Sequence, residues 1–174
     1  MIYPGGTPTQ PEIIAIALMK LKLQRSDIFV DIGCGSGSVS IQAAKLAKKL
    51  YAIDDRDEAI HATRENLKEC GVTNVSVLKG EASLLLADID ADCAFLGGSK
   101  NIDQVLGIVI KKVPRFAISA IRIETATRVM EIMKRNNRFN ELIQIQLSRG
   151  SELGGGTMLK PENPVFLIIG GEKC

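Results

Sequence analysis

Tryptophan is absent from this chain, and tyrosine and phenylalanine number only two and five. A stacking surface for single-stranded nucleic acid calls for more rings than that, so no nucleic-acid partner is expected. Histidine occurs once, as His61, and the four cysteines, Cys34, Cys70, Cys93 and Cys174, form no Cys-x-x-Cys pair. This argues against a zinc site, and no metal is expected. No apolar run is long enough to span a membrane, and no signal-peptide pattern is seen. With unpaired thiols, the chain reads as a reduced, cytoplasmic protein without a membrane partner. Neither sign of charge dominates: 22 Lys and Arg stand against 20 Asp and Glu, a net charge of +2. The 174 residues suffice for one domain, 1–174, with a sizeable core.

What is present is an alternation of apolar runs and helical segments. Thr9-Gln10-Pro11-Glu12 reads as a capping box opening a first helix, with Thr9 as N-cap. Strands are predicted at 28–32, 50–54, 74–79, 92–96 and 115–121. Helices are predicted at 37–48, 57–70, weakly near 82–87, and at 102–112. Strands apolar on both faces and separated by helices indicate a parallel sheet covered on both sides. Residues 124–137 read as a further helix and 140–149 as a strand. A glycine-rich loop is expected at 150–156 and a last strand at 164–169. No helix fits between these two strands, so they should pair antiparallel. The fold class is α/β, a Rossmann-like seven-stranded, mostly parallel sheet with a C-terminal antiparallel hairpin.

The segment Val30-Asp31-Ile32-Gly33-Cys34-Gly35-Ser36-Gly37 carries the most chemistry. Glycines at alternate positions let the backbone turn sharply and lie close to a ligand. A dinucleotide loop would need its third glycine at position 38, which is serine. Asp31 would also repel a pyrophosphate. The pattern resembles motif I of the S-adenosylmethionine-dependent methyltransferases, whose ligand carries an ammonium group. Asp54 ends the next apolar run about 20 residues on, where α/β nucleotide folds place a ribose-binding carboxylate. Cys34, without a nearby His or second thiol in sequence, reads as a small space-filling side chain. After the third strand come Glu81 and Ala82, at the position that lies beside adenine in that fold. After the fourth comes Leu96-Gly97-Gly98-Ser99-Lys100, whose small residues leave room for a bulky acceptor. Lys100, Arg122, Arg149 and Lys160 could ring one cleft and favour an anionic substrate, with Arg149 the foremost candidate. His61 reads as a surface helix residue.

Together these residues resemble the corrin-pathway C15-methyltransferase family, also called precorrin-8w decarboxylase. The marks are Gly6-Thr7-Pro8-Thr9-Gln10, the glycine loop through Val39, Tyr51-Ala52-Ile53-Asp54 and Gly80-Glu81-Ala82. Phe95-Leu96-Gly97-Gly98-Ser99, Ser148-Arg149-Gly150, Gly154-Gly155-Gly156 and Asn163-Pro164-Val165-Phe166 complete them. The resemblance implies S-adenosyl-L-methionine as cofactor, with contacts from Thr9, Gln10, Asp31, Gly33, Cys34, Gly35, Ser36, Gly37, Asp54, Glu81, Ala82 and Gly97. It implies a tetrapyrrole substrate, cobalt-precorrin-6B, methylated at C15 with loss of CO2 from the ring C acetate in the anaerobic cobalamin route. A homotetramer is implied as well, and the apolar runs at 143–147 and 166–169 suggest an exposed edge at its interface. Two departures stand out: Asp54 where the family more often has Glu, and Arg122 where an apolar residue is expected. An RNA or protein methyltransferase, or a non-catalytic scaffold, on the same fold are the alternatives.

Overall fold

The computed structural model describes residues 1–5, 8–98 and 100–172. Gly6, Thr7, Ser99 and Cys174, named above, lie outside the described residues. Helix α1 (Pro11–Lys20) leads into β1 (Ile28–Ile32), α2 (Ser38–Ala44), β2 (Lys49–Asp54), α3 (Asp57–Glu69) and β3 (Val75–Lys79). Then follow α4 (Ala82–Leu85), β4 (Cys93–Leu96), α5 (Ile102–Lys112), β5 (Arg115–Ala120) and α6 (Ile123–Arg135). Four strands close the chain: β6 (Phe139–Ile145), β7 (Ser148–Leu153), β8 (Gly156–Pro161) and β9 (Val165–Gly171).

Seven strands form one sheet in the order β3-β2-β1-β4-β5-β9-β6. The first five pair in parallel, and β9 runs antiparallel to both β5 and β6. Strand order reverses at β1, which is flanked by β2 and β4. A crevice opens at the carboxyl ends of the strands at such a switch point.

Side chains alternate across a strand, and the core divides accordingly. Phe29, Leu50, Phe95 and Leu167 pack on one face beneath α1 and α2. Val30, Ile53, Leu96 and Ile168 pack on the other beneath α5 and α6. Asp31 follows Phe29 by two residues and so shares the face of α1 and α2. Its burial among apolar side chains is therefore a consequence of register.

The structure corrects three expectations. Helix α1 is capped at Gln10 without a side-chain hydrogen bond, and Thr9 lies before it. Glu12 does not close a capping box, because its carboxylate is drawn to Arg149 (Nη1–Oε1 2.9 Å). The segment expected as a glycine-rich loop is β7 and β8, a separate two-stranded ribbon whose register runs from Ser148–Pro161 to Leu153–Gly156. Arg149 is thus inside a hairpin strand rather than at the end of the strand before it. Finally, the run 166–169 is no exposed edge. Strand β9 lies between β5 and β6, with Leu167 and Ile168 fully buried. The edge is β6, where Leu142 is exposed.

Gly170 shows how tight the β9 junction is. A Cβ there would lie 2.5 Å from Phe116 Cε2 and 2.3 Å from Met133 Cε. Met133 can swing aside, but the buried Phe116 ring cannot. Gly170→Ala is expected to destabilise the fold by about 1–3 kcal/mol, the scale of core overpacking. Urea unfolding of purified protein measures it, and an unchanged midpoint refutes the packing argument.

Candidate functional site

A cavity of about 490 Å³ opens at the carboxyl ends of β1, β2 and β4. Its floor is the glycine loop. Gly33, Gly35 and Gly37 have φ of +74°, +58° and +76°, so the loop takes three left-handed turns at alternate residues. Two of these positions also face close neighbours. A Cβ on Gly33 would lie 3.0 Å from Gly98 N, and one on Gly37 would lie 3.1 Å from Thr63 Cγ2. A Cβ on Gly35 would meet nothing nearer than 4.0 Å, because this residue faces the open cavity. The glycines after β4 therefore do more than leave room for an acceptor: Gly98 is seated against Gly33.

Helix α3 holds the loop from behind. Thr63 Oγ1 donates to the Gly35 carbonyl at 3.0 Å, and Asn66 Nδ2 donates to the Ser36 carbonyl at 2.8 Å. Asn66 also brackets Ile2, accepting from its N–H at 2.6 Å and donating to its carbonyl at 2.8 Å. Both side chains are fully buried. They were missed in the sequence, although two polar residues in the core phase of an amphipathic helix were the available signal.

Asp54 sits at the end of β2, almost fully buried. Its Oδ2 accepts from Gly35 N–H at 3.0 Å and Arg56 Nη2 at 3.2 Å. Its Oδ1 accepts from Arg56 N–H and Nε, both at 3.1 Å. The remaining guanidinium nitrogen, Nη1, donates to the Gly5 carbonyl at 2.9 Å. Arg56, also missed in the sequence, thus joins the ribose-type carboxylate to the N-terminal segment. That segment supplies Tyr3, Pro4, Gly5, Pro8 and Thr9 to the cavity wall.

Asp31 is 1% exposed and lines the cavity. Ser40 Oγ donates to its Oδ2 at 2.6 Å, while Oδ1 has no partner among the described residues. Burial, opposed by the Ser40 hydrogen bonds and aided by the nearby charge of Asp54, pushes its carboxyl up to about 7. Burial likewise pushes the Cys34 thiol up to about 12, with Asp31 adding to the effect. A thiol so raised is neutral and a poor nucleophile.

Of the sequence candidates, Thr9, Asp31, Gly33, Cys34, Gly35, Ser36, Asp54, Glu81, Ala82, Gly97 and Lys100 line this one cavity. Lys100 pairs with Asp55 at its rim, which holds the Asp55 carboxyl below the usual carboxylate range. The structure does not bring the others to the cavity. Gln10 donates instead to Glu162. Gly37 caps α2. Arg122 caps α6 and is exposed beside Ile121, which does line the cavity. Lys160 lies opposite Arg149 in the register of the ribbon and does not line the cavity. Arg149 is held by two carboxylates: Glu12, and Glu162 at 2.7 Å from Nε. Its placement at the cleft is therefore corrected, since a guanidinium between two carboxylates is already bidentately satisfied.

A family model for a precorrin methyltransferase domain matches residues 3–169. The chain belongs to this family. It is 52% identical to a protein of Methanosarcina acetivorans named "Probable cobalt-precorrin-6B C(15)-methyltransferase (decarboxylating)", over all of this chain and 98% of that one. A relative of the same name in Methanocaldococcus jannaschii is 33% identical over 94% of this chain and 90% of its own. The crystal structure of precorrin 8w decarboxylase from Methanobacterium thermoautotrophicum superimposes with a TM-score of 0.92 at 33% identity, covering 98% of this chain and 96% of that one. An S-adenosylmethionine-dependent O-methyltransferase of Thermotoga maritima, 17% identical, shares the fold with a TM-score of 0.78, over 97% of this chain and 68% of its own. Among the described residues, no group of three or more His, Cys, Asp or Glu gathers as metal ligands would. No helix among them is long and apolar enough to cross a membrane.

Two outcomes test this geometry. The fold favours the neutral Asp31 carboxyl, so its contribution is intact below the ordinary value of 3.8 and is lost as pH rises toward about 7. Asp31→Asn is expected to melt above the parent at about pH 8 and close to it at about pH 4. Parallel shifts at both pH values would exclude the titration. Arg149→Met is expected to speed amide exchange across 148–161 while leaving the melting temperature close to the parent's, because the ribbon is tied to α1 through Glu12. Equal protection of the ribbon in both proteins would show the clasp to be idle.

Proposed function

We propose that this chain is an S-adenosylmethionine-dependent C-methyltransferase that methylates cobalt-precorrin-6B at C15 with decarboxylation, on the route to cobalamin. Family membership over nearly the whole chain supports the reaction class, and the relatives' names support the substrate. The observation that carries the cofactor assignment is Asp31, a buried carboxyl that lines the cavity and whose second oxygen has no partner among the described residues.

The residues fit the cofactor. Asp31 would accept from its ammonium group, and the glycine loop would lie along its amino-acid moiety. Asp54 would take the ribose hydroxyls. All its acceptor positions are engaged by Gly35 and Arg56, so the hydroxyls would exchange with the guanidinium rather than fill free sites. Glu81 and Ala82 would lie beside the base, and Thr9 would close the opposite wall. When bound, the cofactor supplies an electrophilic methyl group on a sulfonium.

The chain's own work is then chiefly alignment, because an electron-rich ring carbon needs little proton transfer to attack. The acceptor side would be the rim formed by Gly97, Gly98, Lys100 and Ile121, with Arg122 next to it. Ile121 is half exposed and offers an apolar surface to a macrocycle face. Arg122 has an exposed guanidinium with no ion pair among the described residues. It thereby takes over the carboxylate-binding role expected of Arg149. A homotetramer in the cytoplasm completes the reading. The exposed Leu153 and Leu159 of the hairpin support assembly, since an isolated two-stranded ribbon is marginal in water.

The deciding experiment is incubation with S-adenosylmethionine and cobalt-precorrin-6B. The expected product gains CH2 and loses CO2 by mass, and an unaltered substrate mass overturns the assignment. Asp54→Ala is expected to weaken cofactor binding by about 1.5–3 kcal/mol in calorimetry, the scale of hydrogen bonds to a charged group. Arg122→Ala is expected to lower kcat/KM for the macrocycle about tenfold, or about 1.4 kcal/mol, with cofactor affinity unchanged. A larger loss in Arg149→Ala than in Arg122→Ala would return the anionic contact to Arg149.

A further inference from the structure

Asp31 is placed as few carboxyl groups are. It lines the cavity beneath α2 at the end of a central strand, with Oδ2 accepting from Ser40 at 2.6 Å and Oδ1 buried without a partner among the described residues. The groups that face it are few. From α2 comes Ser40, a neutral donor. From the loop after β1 comes Cys34, whose thiol burial keeps neutral. From β4 comes the ring of Phe95, opposite Asp31 in the strand register. From β2 comes Asp54, a like charge engaged by Arg56. No cation reaches Asp31 from any of these elements. An unpaired carboxylate in such surroundings is strongly disfavoured, and the group neutralises itself by holding a proton.

We propose that capture of a cationic ligand headgroup in this cavity is coupled to release of one proton from Asp31. The proposal rests on the cofactor reading above. The balance is simple: the carboxylic acid gives its proton to solvent, and the carboxylate left behind accepts from the ligand's ammonium group. No other bond forms or breaks. Oδ1 is the oxygen left for this exchange, because Oδ2 stays with Ser40 while Oδ1, itself buried, has no partner among the described residues.

The consequence is an affinity that depends on pH. With Asp31 titrating at about 7, the observed affinity for S-adenosylmethionine should rise about tenfold per pH unit below that point and level off above it. At about pH 6, binding should release about 0.9 proton. The ligand's own amino group titrates higher, near about 7.7–8.0, so the comparison belongs below pH 7.

The test is calorimetry of the full chain with S-adenosylmethionine at about pH 6, in buffers of different ionisation enthalpy. The slope of the observed heat against buffer enthalpy gives the protons released. The parent is expected to release close to one, and Asp31→Asn is expected to bind more weakly with a slope near zero. Ser40→Ala provides a second variant should Asp31→Asn not fold. It removes the donor that lowers the Asp31 titration, so the pH at which affinity levels off should move upward. Binding with no buffer dependence in the parent, or with equal release in Asp31→Asn, overturns the coupling and leaves the cofactor reading standing. Absence of binding by the parent at every pH overturns the cofactor reading and this coupling with it.

Discussion

Two carboxylates on one face of two adjacent strands set the terms for everything around them. Asp31 pairs in register with Ala52, and Asp54 lies two residues further along the same strand. Parallel strands run about 4.8 Å apart and rise about 3.3 Å per residue, so the sheet cannot hold the two groups far from one another. Both are buried, and two unpaired charges in so dry a place are not tolerated. The chain resolves the conflict unequally. Asp54 is met by a bidentate guanidinium, whereas Asp31 has only Ser40 as a donor and burial pushes its carboxyl up to about 7.

The answer to Asp54 shapes the N-terminal segment as well. Arg56 reaches past the carboxylate to the Gly5 carbonyl, and Asn66 fixes Ile2 from the same side. The N-terminal wall of the cavity is therefore held both by Arg56, paired with Asp54 at the end of β2, and by Asn66 of α3. Ribose hydroxyls exchanging with Arg56 at Asp54 would act on the same guanidinium that holds Gly5. Binding at the floor and the position of the wall are thus parts of one hydrogen-bonded unit.

Much of this was legible in the sequence, for definite reasons. The strands of the parallel sheet are short, largely apolar runs, most of them ended by glycine or acid, and they fall within a residue or two of the predicted bounds. The glycine loop and Asp54 were legible because left-handed backbone and a strand-end carboxylate each demand particular residue types. What was not legible depends on partners distant in sequence. The ribbon at 148–161 has no apolar alternation, because both its faces are largely exposed, so periodicity had nothing to register. Its one local sign was Gly154-Gly155, with φ of +58° and +82°, the two-residue loop of a tight hairpin. Strand β9 looked like an edge because a run of buried residues says nothing about where in the sheet it is inserted. Arg149 looked like a substrate contact because Glu12, 137 residues away, cannot be paired with it by inspection.

The placement of Arg149 has a meaning of its own. Its guanidinium bridges Glu12 in the first turn of α1 and Glu162 just beyond β8, and Gln10 reaches Glu162 from the helix cap. The ribbon is thus fastened to the residues that directly follow Thr9 on the cavity wall. A marginal two-stranded element gains a fixed origin from this contact, since exposed ion pairs hold well only when several share one geometry. Glu12 is held charged by Arg149, whose own pKa is raised by the same partners, so the clasp is maintained across the neutral pH range. A surface built on that ribbon, whether against another copy of the chain or against a macrocycle, would be registered to the cavity through α1. The charge expected to touch substrate serves instead to fix where the ribbon stands.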